Sequence, residues 1–382
     1  MSLGGMVSPY FKKPVKRAYS GLCRIKRGCM QFRSKIQSLV SAVEAKQKGR
    51  GGDAIVALVA AIGESNVLSI GPMGTGKTEL FELLEKALPL SWVQFGSGQS
   101  SVFQEQLNAH SELEDVFGAL DLEEFREGTY CRVAGAGIQS ATVALIDEAD
   151  KGSPAIQNAM LGIIHAKERA MRDNGERHKL PLKFCYLTAN FEEDLAPAFL
   201  ARCPLRAPTK IAKEGLSATL FERLSGIKQE PSIERFTEAD FRGIRDKARE
   251  LCASASKGFM SICDAINSLL KTNTNKSDTP YSPRDEYNML WLTAIFAALM
   301  GADKLDTKHL GFLVYGPWDK ASYNKCRKDI ITNSGATDLT KDNADWSQLS
   351  PEDTVLYTIL YGANSTAPTV DEALEATGQY WG

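Results

Sequence analysis

The sequence predicts an α/β protein with a parallel sheet in three αβα layers, a helical lid subdomain and a small C-terminal helical appendage. Short apolar runs of strand length, such as Asn66–Ile70 and Thr142–Glu148, alternate with helix-length segments in the first half of the chain. Continuous apolar runs of this length are typical of parallel strands that are buried on both faces. Two helix-length patterns without strands follow, over Arg235–Leu270 and Asp285–Met300. Both support a helical subdomain after the sheet.

Length and composition narrow the class of protein. The 382 residues exceed what one compact core usually holds, so more than one structural unit is expected. With 43% hydrophobic and 24% charged residues, the composition is globular and excludes global disorder. The longest strongly apolar stretch, Met289–Met300, is shorter than the ~20 residues of a membrane span. Eight cysteines without a CxxC pair favour a reducing compartment, so we expect a soluble, cytoplasmic protein.

The formal net charge of −2 conceals a polarity along the chain. Residues 1–50 contain twelve Lys or Arg and one acid, Glu44, whereas residues 331–382 contain eight acids and one Lys. Three interpretations of the basic head stay open: a solvated tail, an organellar presequence in residues 1–29, and an arm that binds a polyanion.

A glycine-rich loop carries the strongest local signal. The helix-length run Asp53–Ile62 precedes the strand Asn66–Ile70, and a helical segment, ELFELLEKAL, follows the loop. The loop residues are Gly71, Pro72, Met73, Gly74, Thr75, Gly76, Lys77 and Thr78. They match GxxxxGK[ST] in a strand–loop–helix setting, where backbone N–H groups surround phosphates, Lys77 reaches the β and γ oxygens and Thr78 ligates Mg²⁺. The sequence therefore predicts a site for ATP and Mg²⁺.

A phosphate-binding loop predicts a second site with carboxylates, and a second strand ends in two acidic residues. Asp147 and Glu148 close the run TVALIDE. We expect Asp147 to hold Mg²⁺ through its water shell and Glu148 to orient and deprotonate the attacking water. The competing interpretation is an Asp-Glu pair that caps the next helix.

Further elements extend the predicted sheet. Trp92–Phe95 is read as another strand, and Leu182–Thr188 as a strand that ends near Asn190. Between the strands Thr142–Glu148 and Leu182–Thr188, the sequence predicts a helix over Ala155–Ala166 and a hairpin around Asn174–Gly175. Two arginines, 202 and 206, follow the Asn-tipped strand.

Together these residues resemble the AAA+ ATPases, and within them the MoxR branch, closest to its RavA group of regulatory ATPases. The resemblance runs from about Arg33 to about Trp318 and includes the loop, the DEADK run at 147–151, the hairpin, the TAN run at 188–190 and the YSPR run at 281–284. It implies that Asn190 is sensor 1, that Arg202 is an arginine finger acting on a neighbouring subunit's γ-phosphate, and that Arg284 is sensor 2, reaching the same nucleotide. Family members often carry Asp where this chain has Ala201, so Arg206 remains a rival finger.

The resemblance also implies partners and domain limits. It implies a homo-oligomeric, hexameric ring that remodels protein clients with a von Willebrand factor A-domain partner. The expected units are a basic extension (1–32), the ATPase core (33–214), the lid (232–318) and a helical appendage (319–382). Two alternatives stay open: a nucleic-acid motor like the MCM helicases, contacting DNA or RNA through the basic head or the hairpin, and a nucleotide-switched scaffold without turnover.

Overall fold

The computed structural model describes most of the chain between residues 18 and 334. The described ranges are 18–47, 50–128, 132–133, 137–165, 169–173, 176–209, 221, 232–319 and 321–334, with the side chains of 18–31, 171–176 and 308 left out. The predicted hairpin turn at Asn174–Gly175 and most of the predicted appendage (319–382) lie outside these residues.

Five parallel strands form the central sheet, in the order β2-β3-β6-β1-β7. The strands are β1 (Asn66–Ile70), β2 (Val102–Gln106), β3 (Val143–Asp147), β6 (Phe184–Ala189) and β7 (Leu205–Pro208). Strands β4 (Ala170–Asp173) and β5 (Glu176–Lys179) form a separate antiparallel pair, which confirms the predicted hairpin. Because all five sheet strands run the same way, their carboxyl ends meet at one edge, the edge that usually carries the chemistry of such sheets.

Helices cover the sheet on both faces. They are α1 (Ala18–Lys46), α2 (Gly51–Ile62), α3 (Lys77–Ala87), α4 (Leu90–Val93), α5 (Leu113–Phe117), α6 (Leu122–Arg126), α7 (Pro154–Met160) and α8 (Pro197–Leu200). Side chains of α1, α2 and α3 share one hydrophobic cluster with one face of the sheet, and α7 and α8 share a second cluster with the other. The expected three-layer α/β arrangement is confirmed.

A helical region follows the sheet. It consists of α9 (Glu238–Ala253), α10 (Lys257–Asn273), α11 (Pro283–Leu299), a 3₁₀ segment (Thr307–Tyr315) and α12 (Tyr323–Ser334). Helices α9 and α11 pack on α2, and the 3₁₀ segment contacts β7. The pattern predicted as one helix over Arg235–Leu270 is therefore two helices. Helix α12 packs on α10 and the 3₁₀ segment, so the chain just beyond residue 318 lies against this helical region.

The predicted strand at Trp92–Phe95 is wrong. Residues Leu90–Val93 are helical, and the neighbour of β3 in the sheet is Val102–Gln106. The fully buried Trp92 ring packs edge-on against Phe241 of α9 at 5.2 Å, so its apolar character serves the contact with the helical region rather than the sheet. The true edge strand escaped detection because its alternating polar residues resemble a loop.

Two other sequence expectations need adjustment. Strand β7 was not predicted, since Arg206 and two prolines interrupt an otherwise short apolar run. The helix expected over Ala155–Ala166 ends at Met160. Among the described residues, no helix is long and apolar enough to cross a membrane.

Candidate active site

The glycine-rich loop joins β1 to α3 at the carboxyl edge of the sheet. Gly74 and Gly76 adopt φ angles of +76° and +74°, a left-handed backbone that favours glycine. A Cβ at Gly71 would come within 2.2 Å of the Thr209 carbonyl oxygen, so close approach to the segment after β7 also requires glycine there. Pro72 and Met73 are exposed at the outer turn of the loop. The backbone thus takes the shape that leaves N–H groups available to a phosphate.

Lys77 is folded back into its own loop. Its Nζ donates to the carbonyl oxygens of Gly71 at 2.7 Å and Pro72 at 2.9 Å, and to Asn190 Oδ1 at 3.0 Å. Burial lowers the pKa of this ammonium, and the nearby Asp147 carboxylate opposes that shift. Three neutral acceptors therefore hold a desolvated cation, which would bind an anionic group more strongly.

Asp147 lies between two hydroxyl groups. Thr78 Oγ1 donates to Asp147 Oδ2 at 2.7 Å, and Thr188 Oγ1 donates to Asp147 Oδ1. The two residues predicted as Mg²⁺ ligands, Thr78 and Asp147, are therefore in contact. A hydroxyl and a carboxylate are hard oxygen donors of the kind that Mg²⁺ takes in phosphate sites, so this donor set fits the ion.

Glu148 follows in an unusual backbone conformation. Its φ is +52°, a left-handed value that is uncommon outside glycine. Its N–H donates to Thr188 Oγ1 at 2.9 Å, so one threonine hydroxyl holds both acids of the pair. Strained backbone of this sort persists where the surroundings fix it, often at functional sites.

Asn190 has an unused donor. The residue is 8% exposed, and its Nδ2 has no hydrogen-bond partner among the described residues, while its Oδ1 accepts from Lys77. Leaving a buried amide donor unpaired is costly, about 1–3 kcal/mol. An acceptor oxygen placed next to Lys77, such as that of a phosphate, would satisfy it.

A buried ionic network braces the loop from behind, and sequence reasoning missed it. Arg50 donates to the Thr75 carbonyl at 2.6 Å, to Thr209 Oγ1 at 3.1 Å and to Asp53 at 2.8 Å. Gln47 donates to the Gly76 carbonyl at 2.8 Å. Burial raises the pKa of Asp53, and the Arg50 guanidinium opposes this. A buried Arg and Asp three residues apart at the start of an apolar helix were the available signal.

Arg202 and Arg284 lie together, far from the glycine-rich loop of the same chain. The Arg202 carbonyl accepts from the side chain of Asn66, the residue that begins β1 and lies at the opposite end of that strand from the loop. Five residues at ~3.3 Å each separate the two edges by roughly 16 Å. The exposed Arg284 donates to the Ala201 carbonyl at 3.0 Å. Burial lowers the pKa of the Arg202 guanidinium, and the positive charge of Arg284 lowers it further.

Arg206 occupies a different environment from Arg202. It lies within β7, is 3% exposed and forms an ion pair with Glu192. It lines a cavity of about 640 Å³ together with Asn190, Pro72 and Trp318. The Arg206 guanidinium is therefore enclosed by residues of its own chain.

The comparisons with known proteins agree with this geometry. A family model described as the MoxR domain in the MoxR-vWA-β-propeller ternary systems matches residues 34–244, more than half of the chain. A structural protein of Acidianus two-tailed virus is 27% identical over 169 residues, covering 44% of this chain and 26% of that protein. An uncharacterised protein of Methanocaldococcus jannaschii is 22% identical over 270 residues, covering 69% of this chain and 66% of that protein. The chain thus spans about a quarter and just under two thirds of the length of these two relatives.

A solved structure shares the fold. The crystal structure of an ATPase candidate from Cytophaga hutchinsonii superposes with a TM-score of 0.56 at 14% identity, covering 90% of this chain and 98% of that one. At this identity the likeness shows the fold alone. The family match, the parallel sheet and the loop at its carboxyl edge lead to one conclusion: the chain belongs to the MoxR family of AAA+ ATPases.

Proposed function

We propose that this protein hydrolyses ATP to ADP and phosphate in a Mg²⁺-dependent reaction. The observation that carries the proposal is the convergence of Lys77, Thr78, Asp147 and Asn190, which are joined by hydrogen bonds of 2.7 to 3.0 Å at one edge of the sheet. Lysine, hydroxyl, carboxylate and amide are the groups that phosphoryl transfer uses for positioning and charge stabilisation. The role of each group is part of the proposal.

Each side chain has one task in this scheme. Lys77 exchanges its carbonyl partners for the β and γ oxygens of ATP, and the Asn190 amide donates to the γ-phosphate. Thr78 and Asp147 hold Mg²⁺ directly or through water. Bound Mg²⁺ neutralises charge on the β and γ oxygens. Glu148 orients the attacking water and accepts its proton.

The arginine finger requires a second subunit. Arg202 lies at the amino edge of the sheet, roughly 16 Å from the loop of its own chain. It can therefore serve a nucleotide only in a neighbouring copy, and the adjacent Arg284 would reach that same nucleotide. Enclosure of Arg206 by Glu192 favours Arg202 over Arg206 as the finger. Met73 and Phe191, 69% and 50% exposed beside the loop, offer the apolar surface expected of a subunit contact. We infer a closed ring, with a hexamer as the expected form.

Mixed subunits test this arrangement. Lys77→Ala removes the nucleotide site but keeps the finger, whereas Arg202→Ala keeps the site and loses the finger. A finger contributes about 10³–10⁵ in rate, so each variant alone should be nearly inactive. An equimolar mixture should release phosphate at a measurable rate, because some Arg202→Ala sites then meet an intact finger. A mixture as inactive as its components would overturn the trans finger.

The work that hydrolysis drives is proposed to be remodelling of a protein client. The matched family is described by its systems of MoxR, vWA and β-propeller proteins, which supports a von Willebrand factor A-domain partner. The helical region packs on α2, whose carboxyl end leads into β1 and the loop, so a change at the nucleotide could move it. Capture of a partner by Glu148→Gln protein in ATP, but not in ADP, would support this role. Equal capture in both nucleotides would contradict it.

A nucleic-acid motor is the second candidate, because β5 presents an exposed basic face. Arg177, His178 and Lys179 are exposed on the hairpin. Contacts to phosphates make binding fall steeply with salt, so a steep log–log slope with DNA or RNA would favour the motor. Absence of binding at low salt would favour the protein remodeller.

A further inference from the structure

We propose that Asn66 is a positioning residue for the arginine finger, linking the finger segment to the base of the β4–β5 hairpin and to the helical region. This inference rests on the proposed trans action of Arg202. Asn66 begins β1, is fully buried and has no part in the nucleotide site, which lies at the other end of its strand. The role of Asn66 therefore depends on the groups that its side chain contacts.

The Asn66 side chain uses its amide on three separate segments. Nδ2 donates to the Arg202 carbonyl at 2.9 Å and to the Ile164 carbonyl, just after α7, at 2.5 Å. Oδ1 accepts from Arg169 Nη2 at 2.8 Å. One amide thus fixes the backbone of the finger residue against the connection that leads into the hairpin.

Arg169 extends the link to the hairpin. It is 5% exposed, and its carbonyl accepts the N–H of Leu180, which closes the base of the β4–β5 pair at 2.9 Å. Its guanidinium also donates to the carbonyls of Ile163 and Lys183 at 3.3 Å and of Glu64 at 3.4 Å. A displacement of the hairpin base would therefore move Arg169, and through it Asn66.

The same cluster reaches the helical region at two points. The Glu64 side chain pairs with Arg245 of α9 at 3.0 Å, and Glu64 has a φ of +52°. On the other side, Arg284 at the start of α11 donates to the Ala201 carbonyl, the residue before the finger. The carbonyls of two consecutive residues, 201 and 202, are thus held by the helical region and by Asn66.

This arrangement has a mechanical consequence. The finger side chain is partly exposed and must place its guanidinium on a phosphate in another subunit, so its backbone has to be fixed. A misplacement of about 1 Å in such a group costs roughly 10²-fold in rate. The hairpin base and the helical region both bear on that backbone, so a client held at the hairpin could adjust hydrolysis in the next subunit.

The test mixes Asn66→Ala subunits with Lys77→Ala subunits or with Arg202→Ala subunits. Alone, Asn66→Ala should bind ATP as wild type does and lose about 10²-fold in kcat. Mixed with Lys77→Ala, which contributes intact fingers, it should recover to about a quarter of the wild-type rate, because about half of the sites are intact and about half of these meet an intact finger. Mixed with Arg202→Ala it should not recover, since neither subunit then presents a working finger.

The matched control is another buried asparagine. Asn267 in α10 is 1% exposed, donates to Glu286 at 3.0 Å and accepts from the Tyr281 hydroxyl at 3.3 Å. Asn267→Ala loses a comparable buried amide but should supply fingers to Arg202→Ala subunits. Should Asn66→Ala fail to fold in thermal denaturation, Asn66→Asp decides, because it keeps an acceptor for Arg169 and loses both donated hydrogen bonds.

The outcomes separate this inference from the proposed function. Recovery of the Asn66 variant with Arg202→Ala but not with Lys77→Ala would place the damage in its own nucleotide site and overturn the inference. Recovery with neither partner, while the Lys77→Ala and Arg202→Ala mixture is active, would indicate general damage and also overturn it. An inactive mixture of Lys77→Ala and Arg202→Ala would instead overturn the proposed trans action of Arg202, and the inference with it.

Discussion

Thr188 supports both acids of the candidate active site through a single hydroxyl. It donates to Asp147 Oδ1 and accepts the Glu148 N–H at 2.9 Å. Thr188→Val removes that hydroxyl and nearly preserves the shape of the side chain. A hydrogen bond to a charged group contributes about 1.5–3 kcal/mol and an ordinary one about 0.5–1.5 kcal/mol, so the two together amount to about 2–4.5 kcal/mol.

Most of this loss should appear as lost rate, because the hydroxyl orients the carboxylate proposed to hold Mg²⁺ and the backbone of the proposed base. We expect kcat to fall by about 10²-fold, which corresponds to ~2.7 kcal/mol of barrier. Nucleotide affinity without Mg²⁺ should be unchanged, since the loop that binds the phosphates is untouched. Phosphate release across a Mg²⁺ titration, beside equilibrium binding of a fluorescent ATP analogue, measures both quantities.

Thr293→Val is the matched control. Thr293 is also buried, but its hydroxyl donates to the Met289 carbonyl within α11, away from the acids. This variant should keep wild-type kcat and Mg²⁺ dependence. A folded Thr188→Val protein with the wild-type rate would refute the assignment of Asp147 and Glu148 to the reaction.

Three further predictions follow from the same contacts. Lys77→Ala should lose ATP binding in an equilibrium titration, and retained affinity would contradict the role of the loop. Arg50→Met should lower the free energy of unfolding by about 3–5 kcal/mol, because it leaves Asp53 buried without its charge partner; a chemical denaturation curve like that of wild type would contradict the bracing role. Deletion of residues 1–29 should leave ATPase activity intact, because the match to the MoxR family begins only at residue 34; lost nucleotide binding would show that the head belongs to the fold.

Local sequence patterns predicted the parts of the site that are contiguous in the chain. The loop from Gly71 to Thr78 and the pair Asp147 and Glu148 each follow an apolar strand, so their place at the sheet edge is a consequence of strand order. The contact between Lys77 and Asn190 was not visible, because 113 residues separate them and only the β1–β6 pairing brings them together.

The residues that sequence reasoning missed act through distant partners. Thr188 meets Asp147 across 41 residues, Arg50 meets Thr209 across 159, and Asn66 meets Arg202 across 136. Each is a polar residue within or beside an apolar run, a weak signal until the fold shows what it contacts. The likeness to the RavA group and the limits of the predicted domains stay predictions.

Turnover of ATP at this site can be tested with a single variant, Glu148→Gln. The change keeps the side-chain shape and removes the proposed base, while Lys77 and Thr78 remain in place. We expect Glu148→Gln protein to bind Mg-ATP with wild-type affinity and to release no phosphate above background. Phosphate release at the wild-type rate by the same preparation would contradict this expectation.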